Sequence, residues 1–368
     1  MSKKVLIISV KAGAGHLKAA EALEVCLKNE YPDIEVKNTD LLDHASALIK
    51  FLYGQMYIDI VKAVPELFAY GYKNYESTKN FIKPRLLMDK INFNDLFKFI
   101  DEFNPDLVIA THFISASLLA SYKEKNGKKY RLIEILTDYE SHPLWLVDGV
   151  DLFFTATDEV KNGLVFYGAD ENKIIVSGIP IHPKFSELKD KNELRAKYGI
   201  APNIPTVLIS AGSLGITPLA DVLEDFKKIK EDFQMLVVCG NNEKLRKEMD
   251  NFKNQDPRLK RVFGFVDFMD ELMMVSDVLI TKPGGITVSE ALAVNLPMIL
   301  VEPIPGQEEA NADYLIERGA AVKARSLPSL VYKLENLIKN QDTLFEISQN
   351  TKIISKPFAS RQIIEKIL

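Results

Sequence analysis

Short, unbroken runs of aliphatic and β-branched residues alternate along this chain with stretches whose apolar positions recur every three to four residues. The runs fall at 4–10, 34–39, 106–110, 131–136, 151–155 and 173–177 in the first half, and near 205–210, 235–239, 260–263, 277–280, 297–301 and 320–323 in the second. Helical spacing fills the gaps, at 15–29, 44–73, 94–103, 113–125 and 158–167, then near 216–231, 242–253, 268–274, 285–294, 308–318 and 326–339. A strand apolar at every position is covered on both faces, and helices between successive strands supply the cover. The pattern predicts an α/β protein with two Rossmann-like, doubly wound domains whose strand ends face a central cleft.

The second of the two sets begins after Ser177-Gly178-Ile179-Pro180-Ile181-His182-Pro183, where two prolines and a glycine follow a strand and read as a linker. Residues 186–199 are charged and then helical, leading into the second sheet. The expected domains are 1–180 and 181–355. A C-terminal helix within 356–368, apolar at Ile363, Ile364 and Ile367, is expected to pack back across the interface.

Composition removes several classes of function. The 368 residues are 47% hydrophobic and 26% charged with a net charge of −5, and no basic stripe with interleaved aromatics points to nucleic acid. The two cysteines, Cys26 and Cys239, stand in apolar settings and predict reduced core residues; the five histidines show no metal-type spacing. No apolar run approaches the roughly 20 residues that span a bilayer, and no signal peptide is evident. A cytoplasmic protein is expected, able to lie on a membrane surface.

Two glycine turns carry the chemistry. Val278-Leu279-Ile280 ends in Thr281-Lys282-Pro283-Gly284-Gly285, and a helical pattern starts at once. Glycines let a ligand approach the backbone, and the helix N-terminus behind them presents N–H groups to a phosphate. A carboxylate one turn on, Glu290, can accept both hydroxyls of a ribose. Upstream, Val5 to Val10 breaks at Gly13-Ala14-Gly15-His16 before helix formers. This turn lacks the third glycine of a dinucleotide fingerprint and the Gly-Lys-Ser/Thr ending of a P-loop. It puts a histidine at a helix start instead. A third turn, Ser210-Ala211-Gly212-Ser213-Leu214-Gly215, follows the 205–210 strand; Ser213 there could meet phosphates or serve as a helix cap.

With these residues in place the chain resembles the monogalactosyldiacylglycerol synthase and processive diacylglycerol glucosyltransferase family, within glycosyltransferase family 28, of GT-B architecture. The resemblance rests on Gly13-Ala14-Gly15-His16 with Ala19-Ala20, on Thr137-Asp138-Tyr139 with His142-Pro143 and Trp145, on Lys282-Pro283-Gly284-Gly285 with Thr287 and Ser289-Glu290-Ala291, and on Pro303 with Pro305-Gly306-Gln307-Glu308 and Asn311. It implies an inverting transferase that moves a hexose, glucose or galactose, from a UDP-sugar to the hydroxyl of diacylglycerol. The UDP-sugar is then a substrate, with neither cofactor nor metal called for. A lipid II-type N-acetylglucosaminyltransferase, a nucleotide-sugar epimerase and a non-catalytic UDP-sugar-binding regulator are the alternatives.

On this reading Gly284, Gly285, Ile286 and Thr287 hold the diphosphate, joined by Gly212 and Ser213. Glu290 holds the ribose. Phe265 and Val266 stand where relatives bind uracil, and Gln307, Glu308 and Asn311 face the sugar. Gly13, Gly15, His112, His142 and Trp145 lie on the acceptor side, with a structural role open for His112. An inverting displacement needs one base to take the acceptor proton. His16 is the first choice, with helix capping as its plain alternative; Asp138, at a strand end, is the rival base, a partner that orients His16, or an N-cap.

The segment 48–72 is apolar and aromatic, charged only at Lys50, Asp59, Lys62 and Glu66. It reads either as a core helix pair or as a surface that dips into the bilayer, and Lys79, Lys83, Arg85 and Lys90 after it could meet anionic headgroups. The implied location is peripheral, on the inner face of the cell membrane.

Overall fold

A computed structural model describes residues 3–11, 14–51, 92–210, 219–301 and 306–368, without the side chains of residues 48 and 51. The chain divides into two compact units. One is Met1–Pro183 with Pro305–Gln307 and Phe358–Leu368; the other is Lys184–Ile304 with Glu308–Pro357.

In the first unit a six-stranded sheet runs β1 (Lys4–Ser9), β2 (Glu35–Asp40), β3 (Leu107–Ala110), β4 (Arg131–Ile135), β5 (Leu152–Thr155) and β6 (Ile174–Val176) in chain order. The order across the sheet is β2-β1-β3-β4-β5-β6, all parallel. The helices are α1 (Ala14–Glu30), α2 (Ala47–Phe51), α3 (Asn94–Phe103), α4 (Phe113–Lys125) and α5 (Asp158–Phe166). The strands are apolar on both sides because each face has its own core. Leu6, Ile8, Val108, Leu132 and Leu136 pack with α3, α4 and Trp145. Val5, Ile7, Ile109, Ile133 and Ile135 pack with Leu23 and Leu27 of α1.

The second unit repeats the plan with α6 (Lys191–Tyr198), β7 (Thr206–Ser210), α7 (Leu219–Phe226), β8 (Gln234–Val238), α8 (Glu243–Lys253), β9 (Leu259–Phe263), α9 (Met269–Val275), β10 (Val278–Thr281), α10 (Gly285–Ala293), β11 (Met298–Val301), α11 (Gln307–Glu317), β12 (Ala321–Ala324), α12 (Leu327–Lys339) and α13 (Gln341–Ile354). Its sheet order, β12-β11-β10-β7-β8-β9, is that of a dinucleotide-binding fold read from its far edge. The order reverses between β7 and β10 here, and between β1 and β3 in the first unit. In open α/β sheets ligands bind at such reversals, off the strand C-termini.

The last helix, α14 (Ala359–Ile367), closes the core of the first unit. Ile363, Ile364 and Ile367 are fully buried against α1 and the sheet, each contributing about 1.5–3 kcal/mol by burial. The Arg131 guanidinium donates to the Ile367 carbonyl at 3.1 Å, and Arg361 pairs with Glu30 at 2.7 Å.

Three elements differ from the pattern reading, the simplest being α7, expected to run to 231 and ending at Phe226. The helix expected from residue 44 starts later. Asp40 caps a 3-10 turn, Leu41–His44, and Ala45 is extended at φ −84°, ψ 154°, so α2 begins only at Ala47. The Ser46 hydroxyl faces the Ile49 N–H at 3.5 Å, which makes it a natural restart point. Residues 52–73 of that expected helix, and the basic positions to Lys90, lie outside the described residues. Conversely α13 has no counterpart in the predicted pattern. Asn340 ends α12 and caps α13, accepting from Thr343 N at 3.1 Å, so two helices abut with no loop between them.

Candidate active site

The reversal between β1 and β3 brings His16 and His112 together. His16 is the third residue of α1, and His112 follows the end of β3. Their rings lie 4.5 Å apart, edge to face. Thr111 locks the pair from both sides: its carbonyl oxygen is 2.7 Å from His16 Nδ1, and its hydroxyl donates to the His16 carbonyl at 3.0 Å. The Thr137 hydroxyl, just past β4, stands 3.0 Å from the same Nδ1. Trp145 closes the group, 6.3 Å from the His16 ring and 6.2 Å from that of His112.

These contacts assign protons. A carbonyl only accepts, so His16 Nδ1 carries the hydrogen and Nε2 keeps its lone pair. Burial lowers the His16 pKa from 6.5 to about 4, opposed by the Thr111 carbonyl, so the ring is neutral at physiological pH. His112 is the reverse tautomer: its Nδ1 accepts the Ile114 N–H at 3.1 Å, capping α4, and the proton sits on Nε2. Burial, then the neighbouring His16, holds His112 well below its ordinary value. His16 thus bonds outward to β3 rather than capping its own helix, and His112 has a defined structural job.

Asp138 is half-buried in the bend after Thr137. It does not cap the next helix. That role falls to His142, whose Nδ1 accepts the Leu144 N–H at 3.2 Å at the head of the 3-10 turn Pro143–Trp145. Trp145, 1% exposed, anchors the turn in the core. Gly15 is half-buried in the first turn of α1, while Gly13 lies outside the described residues.

The second unit presents backbone instead. Gly284 is the N-cap of α10 at φ −68°, ψ 134°, with no side chain to cap it. A Cβ added at Gly284 would meet nothing within 4 Å, so neither strain nor protein contact calls for glycine there. Among the described residues nothing occupies the position directly in front of Gly284. Behind it Gly285, Ile286 and Thr287 form the first turn, whose N–H groups have no carbonyl within the helix to bond. Asn311 of α11 fixes the turn, donating from Nδ2 to the Pro283 carbonyl at 3.0 Å, and is itself 1% exposed. Glu290 is 4% exposed and so is not the solvated surface carboxylate of an ordinary helix.

Gln307 and Glu308 open α11, both half-buried. Phe265, 73% exposed, and Val266 follow β9, at the same end of the sheet as the glycine turn but across β7 and β8 from β10. Gly212 and Ser213 lie outside the described residues. Both cysteines are buried and free. Among the described residues no helix is long and apolar enough to cross a membrane.

Pattern reading passed over Thr111 and Thr137, the residues that orient His16. Their signal was present, a threonine at the C-terminal end of each of two adjacent strands. It also passed over Glu134 on β4, fully buried with neither carboxylate oxygen bonded, whose pKa burial raises well above 4.5.

The two parallel six-stranded sheets with interleaved helices define a GT-B-like architecture, in which one unit presents a cluster of side chains and the other a glycine turn with helix amides. Solved structures sharing this fold include Acinetobacter baumannii MurG, at TM-score 0.65, 16% identity and 99% coverage of both chains. A second is the S. aureus MnaA–UDP co-structure, at TM-score 0.65, 15% identity and coverage of 99% and 96%. The monogalactosyldiacylglycerol (MGDG) synthase model matches residues 16–181, and the glycosyltransferase family 28 C-terminal domain model residues 206–365. The processive diacylglycerol beta-glucosyltransferase of Bacillus subtilis (strain 168) is 31% identical, covering 100% of this chain and 95% of its own; that of Bacillus cereus (strain AH187) is 33% identical, covering 99% and 93%. The chain belongs to this family of glycosyltransferases.

Proposed function

We propose that the protein moves a hexose, glucose by the relatives' name, from a UDP-sugar to the hydroxyl of diacylglycerol with inversion at the anomeric carbon. The observation that carries the chemistry is the 2.7 Å contact between His16 Nδ1 and the Thr111 carbonyl, which puts the proton on Nδ1 and leaves Nε2 to accept one. The acceptor oxygen attacks C1 while Nε2 takes its proton. The C1–O bond to the diphosphate breaks, and UDP leaves with the electron pair. The first-turn amides of α10 receive the charge that develops on the leaving group, which removes the need for a divalent ion in this scheme. Glu290 holds the ribose hydroxyls, and the adjacent Asn311 keeps the turn in register for the phosphates. Asp138, beside Thr137, steadies the acceptor or the imidazolium formed in the step. Acceptor and product are lipids, so the protein works at the inner face of the membrane as a peripheral enzyme.

The test is incubation with radiolabelled UDP-glucose and diacylglycerol vesicles. Label in the lipid phase, with the configuration at C1 opposite to that of the donor, supports the reading. Label remaining in a water-soluble hexose points to an epimerase or hydrolase, and binding without conversion to a regulator.

A further inference from the structure

Gly163 lies in the middle of α5, where glycine is one of the poorest helix formers. Its φ is not positive, so its own backbone does not require glycine. Ser141 does. A Cβ at position 163 would stand 1.8 Å from the Ser141 Oγ and 2.5 Å from its Cβ, with the Ser141 Cα at 4.0 Å. Turning the hydroxyl to another rotamer clears the first clash and leaves the second, because Cβ does not move with χ1. Any side chain at 163 must therefore displace backbone.

The helix is the stiffer partner. Thr157 caps it by accepting the Val160 N–H at 3.2 Å, and Val160 and Leu164 are locked in the core. The segment from Thr137 to His142 belongs to neither strand nor helix. It leads from the Thr137 hydroxyl, 3.0 Å from His16 Nδ1, to Trp145, packed against both imidazoles.

The geometry points to Gly163 as a positioning residue for the transferase reaction: its missing side chain seats the Thr137–Trp145 loop against α5 and through it holds the surroundings of His16. This rests on the reading of His16 as base. Gly163 touches none of the reacting groups; it acts through Ser141.

The experiment is Gly163→Ala in the full chain. Trp145 is the only tryptophan, so its emission reports the loop directly. The expected result is a red-shifted emission and a kcat lower by roughly 10- to 100-fold, with the KM for UDP-glucose nearly unchanged. Adding Ser141→Gly removes the Oγ and the Cβ and should restore both readouts. Adding Ser141→Ala keeps the Cβ and should restore neither. If the single variant does not fold, the contrast between these two double variants carries the test. Unchanged emission and kcat in Gly163→Ala overturn the proposal, as does a shifted emission with normal kcat, or rescue by Ser141→Ala equal to that by Ser141→Gly. His16→Ala is run in parallel. Normal turnover there, with the Gly163 series behaving as expected, retires the base and leaves the seating intact.

Discussion

Both units are parallel six-stranded sheets with a single reversal of strand order, and they use that reversal in opposite ways. At the sheet reversal of the first, strand ends deliver side chains: Thr111 and His112 from β3, Thr137 from beyond β4, and His16 from the first turn of α1. At the reversal of the second, the strand end delivers a glycine turn, Pro283-Gly284-Gly285, followed by helix amides. A lone pair that must accept a proton needs a group with a tunable pKa, which only side chains offer. A diphosphate that must be held and then stabilised as it leaves is served best by fixed backbone dipoles, which need no reorganisation. On the proposed function, the two units thus separate proton transfer from charge stabilisation. Substitutions in the first unit should therefore act on kcat, and those in the second on donor KM.

His16→Ala tests the first half most severely. Loss of a general base costs about 10²–10⁴ in kcat, and UDP binding should remain as in the parent protein. The pH profile sharpens the point. A base works when unprotonated, and His16 in the folded protein has a pKa lowered from 6.5 to about 4. The acid limb of kcat/KM should therefore fall near pH 4 and leave activity at pH 6 intact. A limb near 6.5 would mean either a solvated His16 or another base.

Glu290→Ala is the counterpart in the second unit. Losing a hydrogen bond to a charged group costs about 1.5–3 kcal/mol, or about 10- to 150-fold in donor KM, with kcat changed less. An unchanged donor KM removes Glu290 from the ribose site. Asn311→Ala comes next. It removes the bond to the Pro283 carbonyl, so at least about 1 kcal/mol and about 5-fold in UDP dissociation constant are expected, measured by calorimetry. A kcat effect with normal UDP affinity would blur the division between the units.

How much of this was legible in the chain follows from physical range. The strands were legible because a run apolar on both faces is a local signal; Val5-Leu6-Ile7-Ile8 feeds two cores at once. The glycine turn before α10 was legible for the same reason, since a strand, two glycines and a helix lie within a dozen residues. The proton on His16 Nδ1 was not legible, because it depends on a carbonyl 95 residues away. Nor was the reason for glycine at 163, which lies in Ser141 on a different element. The abutting start of α13 hid because Asn340 serves both helices and leaves no turn signal.

Glu134 gives the smallest expected effect on turnover and tests whether the first unit's proton chemistry is confined to its rim. It sits on β4 opposite Ala110, on the Leu132 face of the sheet, with both carboxylate oxygens buried and unbonded. Burial raises its folded pKa well above 4.5. The stability this group contributes is therefore complete below the ordinary carboxyl range and is lost as the pH climbs through the raised folded value. His16 works the other way. Its folded value lies below the unfolded one, so its contribution is complete above 6.5 and is lost as the pH falls toward 4. Unfolding measured between pH 6.5 and about 8 follows Glu134 apart from the histidines below that window and from the buried cysteines and tyrosines, whose folded values are raised, above it. There Glu134→Leu should raise stability by about 1–3 kcal/mol, flatten the decline with rising pH and leave kcat unchanged, since the lost group was a buried polar one without a partner. A fall in kcat would instead connect this carboxyl to the His16 site and extend the proton chemistry from the loops into the sheet.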